Sequence, residues 1–357
     1  MAQERGGIGD VIRNEIRSAG PLTFARYMEL ALYGPGGFYG HPPVGVAGDF
    51  VTSPHVHPVF GELLATAVRQ VWEILGQPQP FRVAEVGAGD GTLARQLLGA
   101  LAGLPLTLTA VEISPGAREM LVQIDGVEVA ANLDGTADLV LAHELLDNLP
   151  FAVVRDGLEV RVGLDGDRLV EVYTSPGDDL ASHGPFGEGE TIVSVGVVDM
   201  VDRVAGALAS PGAFLVIDYA AGAASPPHGY AAHGIVEDLL ASPGATDITA
   251  GVDLDVVTER ARERGMVAFE PVTQQAALQA LGFTDWYRDE LERQHTALDE
   301  RDGMAAVRTW SGRSRASLLV DPGGLGRFRW LLLTTPGVDV PPWLAAAQAA
   351  GGRDAPA

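Results

Sequence analysis

Three glycines at alternate positions, with a glutamate about 20 residues further on, form the first candidate binding site in this sequence. A short apolar run leads directly into Gly87, Gly89 and Gly91. Glycine lacks a Cβ atom, so it allows a sharp turn and leaves room for a ligand against the backbone. Glu112 ends the next apolar run, where an acidic side chain can accept hydrogen bonds from both hydroxyls of a ribose. These residues favour a cofactor that contains a nucleoside.

The glycine spacing distinguishes two kinds of cofactor. A dinucleotide fingerprint places its third glycine where this chain has Thr92, which weakens the alternative of an NAD enzyme. The tighter spacing, with Glu85 two residues before the first glycine, resembles motif I of the class I S-adenosylmethionine (SAM) methyltransferases. The resemblance implies that the glycine loop passes under the methionine part of SAM. Glu85 is then expected to orient this loop or to face the cofactor amine.

A second group of reactive side chains follows the apolar run Leu139–Ala142, namely His143, Glu144 and Asp147. Glu144 and Asp147 are three residues apart, so a starting helical turn would place both carboxylates on one side. Such a pair can bind a planar guanidinium, although acids in a first helical turn also serve as caps. His143 has an ordinary pKa of about 6.5, which suits a general base, but a structural histidine fits this position equally well.

Alternating strands and helices must position these residues, and this alternation predicts an α/β fold with a mostly parallel, Rossmann-like sheet. In such a sheet, ligands bind at the carboxyl ends of the strands. Asn132 and Leu133 follow the third strand and are expected to border the adenine. The predicted strands are Arg82–Val86, Leu106–Val111, Val127–Ala130, Leu139–Ala142, Ala213–Asp218, Met266–Glu270 and Arg329–Leu333.

The regions around the sheet give the predicted domain organisation. Residues 1–75 form a helical N-terminal cap, 76–336 the cofactor-binding domain, and 337–357 a flexible tail. The domain carries insertions at about 151–190, read as a small antiparallel meander, and at about 220–250, read as irregular. Within the cap, Tyr33–Gly48 is a long glycine-proline loop with several aromatic residues, as expected for a lid or binding loop.

Composition excludes several classes of function. The chain of 357 residues contains no cysteine, which excludes disulfides, thiolate metal sites and cysteine nucleophiles. The net charge of −23 repels phosphate backbones, so no nucleic-acid partner is expected. His55 and His57 lack a third ligand at a recognisable spacing, and no metal is predicted.

Three further features bear on where the protein acts. The first residues lack the apolar core of a signal peptide, and the best candidate for a membrane span, the uncharged stretch Gln96–Val111, is too short to cross a bilayer. We therefore expect a cytoplasmic protein without membrane insertion. All 24 basic residues are arginine, a bias that suggests a GC-rich bacterial gene.

Longer segments, from Gly20 to about Gly282, resemble the MidA family of methyltransferases. The most specific are Gly48–Pro54, which reads Gly-Asp-Phe-Val-Thr-Ser-Pro, and Glu144–Pro150, which reads Glu-Leu-Leu-Asp-Asn-Leu-Pro. The resemblance implies SAM as cofactor and a class I methyltransferase fold, with a helical cap over a seven-stranded type of sheet.

This resemblance implies roles for individual residues. Asp49, Thr52 and Ser53 are expected to close over the cofactor from the N-terminal cap. Glu144, together with Asp147, is expected to align the acceptor and take up positive charge. The implied reaction is methylation of a protein arginine, in a subunit of respiratory complex I.

The chain departs from the family pattern near this site, at His55, His143, Gly251 and Pro226–Gly229. These departures keep two alternatives open. One is a small-molecule O- or N-methyltransferase that uses His143 as its base. The other is an assembly factor that retains the fold without catalysis. The oligomeric state is left open.

Overall fold

The structure, a computed structural model, describes residues 7–40, 52–220, 226–231 and 234–351. Its α-helices are α1 (Ile8–Ala19), α2 (Phe24–Met28), α3 (Ser53–Val56), α4 (Val59–Ile74), α5 (Thr92–Ala100), α6 (Pro115–Leu121), α7 (Asp178–Ala181), α8 (Val195–Ala207), α9 (Leu254–Glu263), α10 (Gln274–Ala280), α11 (Phe283–Asp299), α12 (Gly303–Ala316) and α13 (Pro342–Gly351). A π-helical turn, Glu29–Tyr33, extends α2, and a 3₁₀ turn, Leu146–Asn148, follows the strand that ends at His143.

The strands are β1 (Leu22–Thr23), β2 (Phe81–Val86), β3 (Leu106–Val111), β4 (Val127–Ala130), β5 (Ala137–His143), β6 (Ala152–Arg155), β7 (Leu158–Asp165), β8 (Arg168–Thr174), β9 (Glu190–Val193), β10 (Leu208–Asp218), β11 (His228–Ala231), β12 (Gly234–Val236), β13 (Asp247–Thr249), β14 (Val267–Ala268), β15 (Val272–Thr273) and β16 (Arg329–Thr334). All seven predicted strands of the main sheet are present, although the sixth, β14, has only two residues.

The main sheet has the strand order β14, β16, β10, β5, β2, β3, β4, with β15 paired beside β16. β4, β3, β2, β5 and β10 run parallel. β16 is antiparallel to both β10 and β14. The mostly parallel α/β sheet predicted from the sequence is therefore confirmed. Its five parallel strands bring their carboxyl ends to a single edge.

Alternation along each strand divides the side chains between two cores. Val83, Leu139 and Leu141 lie in a core that includes α4, α5, α10 and α13. Ala84 and Val140 lie in the opposite core, with α8 and α9. Because helices cover both faces, the central strand β5 and the second half of β10 are buried on both sides, whereas β3 and β4 nearer the edge keep an alternating pattern.

A second unit contains the N-terminal helices. α1 and α2 pack on an antiparallel sheet of order β1, β7, β6, β9, with β8 beside β7, and their shared core includes Ile12, Tyr27 and Phe151. The predicted antiparallel meander is confirmed by β6, β7 and β8, whereas the pairing of β1 and β9 was not expected. α4 belongs to the predicted cap in sequence, but its buried side chains lie in the core of the main sheet.

Two expectations from the sequence are corrected. The insertion at 220–250, expected to be irregular, contains a three-stranded sheet of β12, β11 and β13; these strands are too short to show alternation. The flexible tail predicted for 337–357 is wrong for Pro342–Gly351, which is helix α13. Trp343 and Leu344 of this helix are buried in the main core, and the Trp343 backbone N–H donates to Gln70 Oε1 at 2.8 Å. Within the described ranges, no helix combines the length and apolar character needed to cross a membrane.

The packing of α13 predicts that Trp343→Ala lowers the free energy of unfolding by about 3–5 kcal/mol, because it leaves a large cavity beside Trp330. Urea denaturation measures this loss. Trp310→Ala is the matched control, since Trp310 is 55% exposed on α12. Equal losses in the two variants would contradict the packing role of α13.

Candidate functional site

The carboxyl ends of the parallel strands open onto a cavity of about 910 Å³. Its other walls come from the π-helical turn after α2, from the first turns of α8, and from β11 and β13. Of the residues predicted for the site, the cavity is lined by Gly87, Gly89, Glu112, Asn132, Leu133, Thr52, Glu144 and Asp147. Those described but not lining it are Glu85, Gly91, Ser53 and His143. Asp49 lies outside the described residues.

The glycine loop has the left-handed backbone that its sequence predicts, with φ angles of 74°, 54° and 76° at Gly87, Gly89 and Gly91. A Cβ atom on Gly87 would lie 2.8 Å from Leu145 Cδ1, and one on Gly91 would lie 2.3 Å from Ile124 Cδ1. A Cβ on Gly89 would meet nothing within 4 Å. Packing therefore requires glycine at the outer positions, whereas Gly89 exposes its backbone to open space in the cavity.

Glu112 connects the glycine loop to the next strand. Its Oε2 accepts a hydrogen bond from Gly89 N at 2.9 Å, and its Oε1 accepts one from Ser114 N at 2.8 Å. Burial raises the pKa of Glu112, and the backbone N–H donors partly oppose the rise. Each carboxylate oxygen has a further lone pair, so Glu112 can still accept the two ribose hydroxyls.

Glu85 lies under the loop and not in the cavity wall. The side chain is 4% exposed, and its Oε2 has no hydrogen-bond partner among the described residues. Burial, together with the charges of Asp90 and Glu112, raises the pKa of Glu85 to about 8. A neutral Glu85 that supports the loop fits this position better than direct contact with a cofactor.

The segment Thr52–Val56 contacts both the glycine loop and the end of β5. Thr52 lines the cavity, and Thr52 Oγ1 lies 2.8 Å from His55 Nδ1. Ser53 is fully buried; its N–H donates to Glu144 Oε1 at 3.1 Å, and its Oγ accepts from Gln274 Nε2. Ser53 therefore orients Glu144 and does not face a ligand.

Glu144 and Asp147 reach the cavity from the loop after β5. Glu144 has a left-handed φ of 50°, and the loop is fixed because Asp218 Oδ2 accepts from Leu145 N at 3.0 Å and Leu146 N at 2.7 Å. Burial and the charge of Asp218 raise the pKa of Glu144 to about 8. Burial also raises the pKa of Asp147, as do Asp218, Asp247 and Glu144.

His143 is the last residue of β5, and its side chain lies on the face of the strand that packs on α4, away from the cavity. Its imidazole packs 5.1 Å from the Phe60 ring of α4, and burial lowers its pKa to about 3. Its Nε2 is 3.1 Å from Glu144 Oε1 but lacks hydrogen-bond geometry with any described residue. The structure does not bring His143 to the cavity, which argues against the predicted role as general base. His57 packs against Trp286 instead, and the described residues contain no cluster suited to a metal ion.

Two tyrosines and an aspartate complete the cavity wall and were not predicted as site residues. Tyr33 and Tyr39 stack with their ring centroids 5.5 Å apart. The Tyr39 hydroxyl donates to Asp247 Oδ1 at 3.0 Å, and Asn148 Nδ2 donates to the same oxygen at 2.9 Å. The aromatic residues of the loop Tyr33–Gly48 could have identified the tyrosines from the sequence. Asp247 is distant in sequence and reaches them only in the folded chain.

The chain matches the model of a family of S-adenosyl-L-methionine-dependent methyltransferases over residues 63–272. The chain belongs to this family. The cavity fits this cofactor for two reasons. The backbone at Gly89 borders open space, and the carboxylate of Glu112 lines the same cavity. The MidA-family resemblance, the class I fold, the SAM cofactor and the methyltransferase class are thereby confirmed.

The similarity to three relatives of this methyltransferase extends over most of the chain. The Drosophila melanogaster protein arginine methyltransferase NDUFAF7 homolog, mitochondrial, is 29% identical, over 93% of this chain and 86% of its own. The Homo sapiens protein arginine methyltransferase NDUFAF7, mitochondrial, is 27% identical, over 75% and 71%. A Burkholderia thailandensis structure bound to S-adenosyl-homocysteine is 26% identical, with a TM-score of 0.80 over 95% of this chain and 94% of that one.

The site geometry predicts that Gly89→Val weakens S-adenosylhomocysteine binding by about 100-fold or more, because the new side chain fills the cavity. Glu112→Ala is expected to weaken it by about tenfold or more, because the ribose and the loop both lose an acceptor. Titration calorimetry measures both.

Gly103→Val is the matched control, since Gly103 also has a positive φ and open surroundings but lies outside the cavity. Unchanged binding in Gly89→Val would contradict the assignment of the cavity as the cofactor site.

Proposed function

We propose that this methyltransferase modifies an arginine side chain of a protein and that, as the family resemblance implies, the acceptor is a subunit of respiratory complex I. The observation that carries the proposal is the position of Glu144 and Asp147 in the same cavity as the glycine loop. Two carboxylates can bind a guanidinium through paired hydrogen bonds and fix its plane. The names of the relatives support an arginine acceptor.

The roles of the acidic side chains follow from their environment. SAM, when bound, supplies a methyl group on a positively charged sulfur. Glu144 and Asp147 would orient the guanidinium so that one nitrogen is directed at this methyl group. As that nitrogen gains the methyl and loses a proton, Glu144, whose pKa is raised to about 8, can take up the proton. Tyr33 and Tyr39 add two stacked rings to this part of the cavity wall, and alignment supplies most of the acceleration.

The alternatives have less support. A small-molecule methyltransferase that depends on His143 as base lacks that base at the cavity. A non-catalytic assembly factor would not need the glycine loop and the Glu112 contacts that this chain keeps. A bacterial, cytoplasmic setting is a further proposal: the basic residues are all arginine, as in a GC-rich bacterial gene, and cell fractionation tests the compartment.

The arginine proposal predicts that Glu144→Gln lowers kcat by about 100-fold or more while S-adenosylhomocysteine affinity changes by less than about threefold. Arginine peptides and a host-protein extract, incubated with labelled SAM and analysed by mass spectrometry for methylarginine, provide the assay.

Glu128→Gln is the matched control, since Glu128 is an exposed side chain of β4. Methylation confined to small molecules, or full activity in Glu144→Gln, would rule the arginine proposal out.

A pH dependence follows from the same carboxyl group. In the free enzyme Glu144 is neutral below its pKa of about 8, and a guanidinium binds only the ionised form. We therefore expect kcat/KM for an arginine peptide to rise with pH up to about 8 and to level off above it, and Glu144→Gln to remove this rise. A profile that falls over this interval would contradict the assignment.

A further inference from the structure

A chain of three polar groups runs from the cavity wall to the glycine loop. Thr52 Oγ1 lies 2.8 Å from His55 Nδ1, and His55 Nε2 lies 3.0 Å from Asp90 Oδ2. Asp90 Oδ1 accepts from Thr92 N at 2.9 Å. The side chains of His55 and Asp90 are only 8% and 16% exposed, so water competes little for these bonds. Thr52 and Asp90 both line the cavity.

The direction of each hydrogen bond can be derived from Asp90. Burial acts to raise the pKa of Asp90, but hydrogen bonds from His55 and Thr92 outweigh it and hold the pKa below its usual value. The ionised carboxylate only accepts, so His55 Nε2 carries a proton and donates. In the tautomer that carries its proton on Nε2, Nδ1 is the acceptor and receives the hydroxyl proton of Thr52. Thr52 therefore presents lone pairs, and no donor, to the cavity.

The sheet order locates Thr52 relative to the cofactor. Glu112 ends β3, the glycine loop follows β2, and β5 lies on the opposite side of β2 from β3. The neighbour of Thr52, Ser53, bonds to Glu144 after β5. With the ribose at Glu112 and the adenine beside Asn132 and Leu133 after β4, the amino-acid end of the cofactor would extend toward β5. This end carries an ammonium group, which needs acceptors.

We propose that His55 is a positioning residue that fixes the Thr52 hydroxyl as a hydrogen-bond acceptor for the ammonium group of the cofactor. The same side chain ties the segment Thr52–Val56 to the glycine loop. The inference rests on SAM as the cofactor and is independent of the identity of the methyl acceptor.

Two ligands that differ only in the amino-acid end test this role. S-adenosylhomocysteine has that end, whereas 5′-methylthioadenosine keeps the nucleoside and the thioether and lacks it. By titration calorimetry, His55→Ala should weaken S-adenosylhomocysteine binding about tenfold, the effect of one lost hydrogen bond to a charged group. Binding of 5′-methylthioadenosine should change by less than about twofold. Glu112→Ala should weaken both ligands, because the ribose is common to them.

Further variants separate positioning from folding. His55→Gln can still reach Asp90 but offers Thr52 no acceptor at the Nδ1 position, so the selective loss should persist in a stably folded protein, as checked by thermal unfolding without ligand. Thr52→Val should reproduce the loss, Thr52→Ser should retain binding, and the His55→Ala/Thr52→Val double variant should lose no more than either single one. Equal weakening of both ligands by His55→Ala or His55→Gln, or no weakening of either, would overturn the proposal.

Discussion

The site depends on one recurring interaction, in which a buried carboxylate at the end of one strand accepts backbone N–H groups from the loop of its neighbour. Glu112 at the end of β3 holds Gly89 after β2. Asp218 at the end of β10 holds Leu145 and Leu146 after β5. Without these acceptors, each loop would leave buried N–H groups unpaired, at a cost of about 1–3 kcal/mol for each group. The carboxylates therefore determine the shape of the ligand edge of the sheet.

This arrangement places several carboxyl groups in buried positions, and burial raises their pKa values. Glu85 and Glu144 both reach about 8, and Asp218 reaches about 6, with burial as the largest cause in each case. Of these three residues, Glu144 lines the cavity, and a cation bound beside it would lower its pKa and favour the ionised form. A cationic cofactor and a guanidinium acceptor are both suited to a site of this kind. Glu112 and Glu144 both contribute to the acidity of the cavity, and Glu112 also holds the glycine loop.

The sequence predicts the local part of this arrangement well. The strands, the glycine loop and Glu112 are fixed by short-range patterns, because apolar runs and glycine spacing reflect backbone requirements within a few residues. The position of His143 was also predictable. Leu141 and His143 share a face of β5, and Leu141 lies in the core against α4, so strand alternation directs the imidazole away from the cavity. Strand alternation therefore favours a structural histidine, the alternative to a general base that residue type alone leaves open.

Long-range contacts are what the sequence alone does not reveal. Tyr39 and Asp247 are 208 residues apart in sequence and share a hydrogen bond. β1 pairs with β7, although the sequence of neither strand indicates which strand it pairs with. α13 has an alanine-rich sequence that is weakly patterned, and its burial depends on a surface made by α4 and α10. In each case the deciding energy comes from packing against a distant segment.

The two halves of the cavity are built by different parts of the fold, and this division has a consequence for catalysis. The main sheet supplies the glycine loop and Glu112, whereas the N-terminal unit and β13 supply Tyr33, Tyr39 and Asp247. In the second half the two tyrosine rings stack, the Tyr33 hydroxyl donates to the Asn148 backbone oxygen, and the Tyr39 hydroxyl donates to Asp247 Oδ1. Side chains held by such contacts have less rotamer freedom to lose when an acceptor binds, so this wall is suited to aligning an acceptor for methyl transfer.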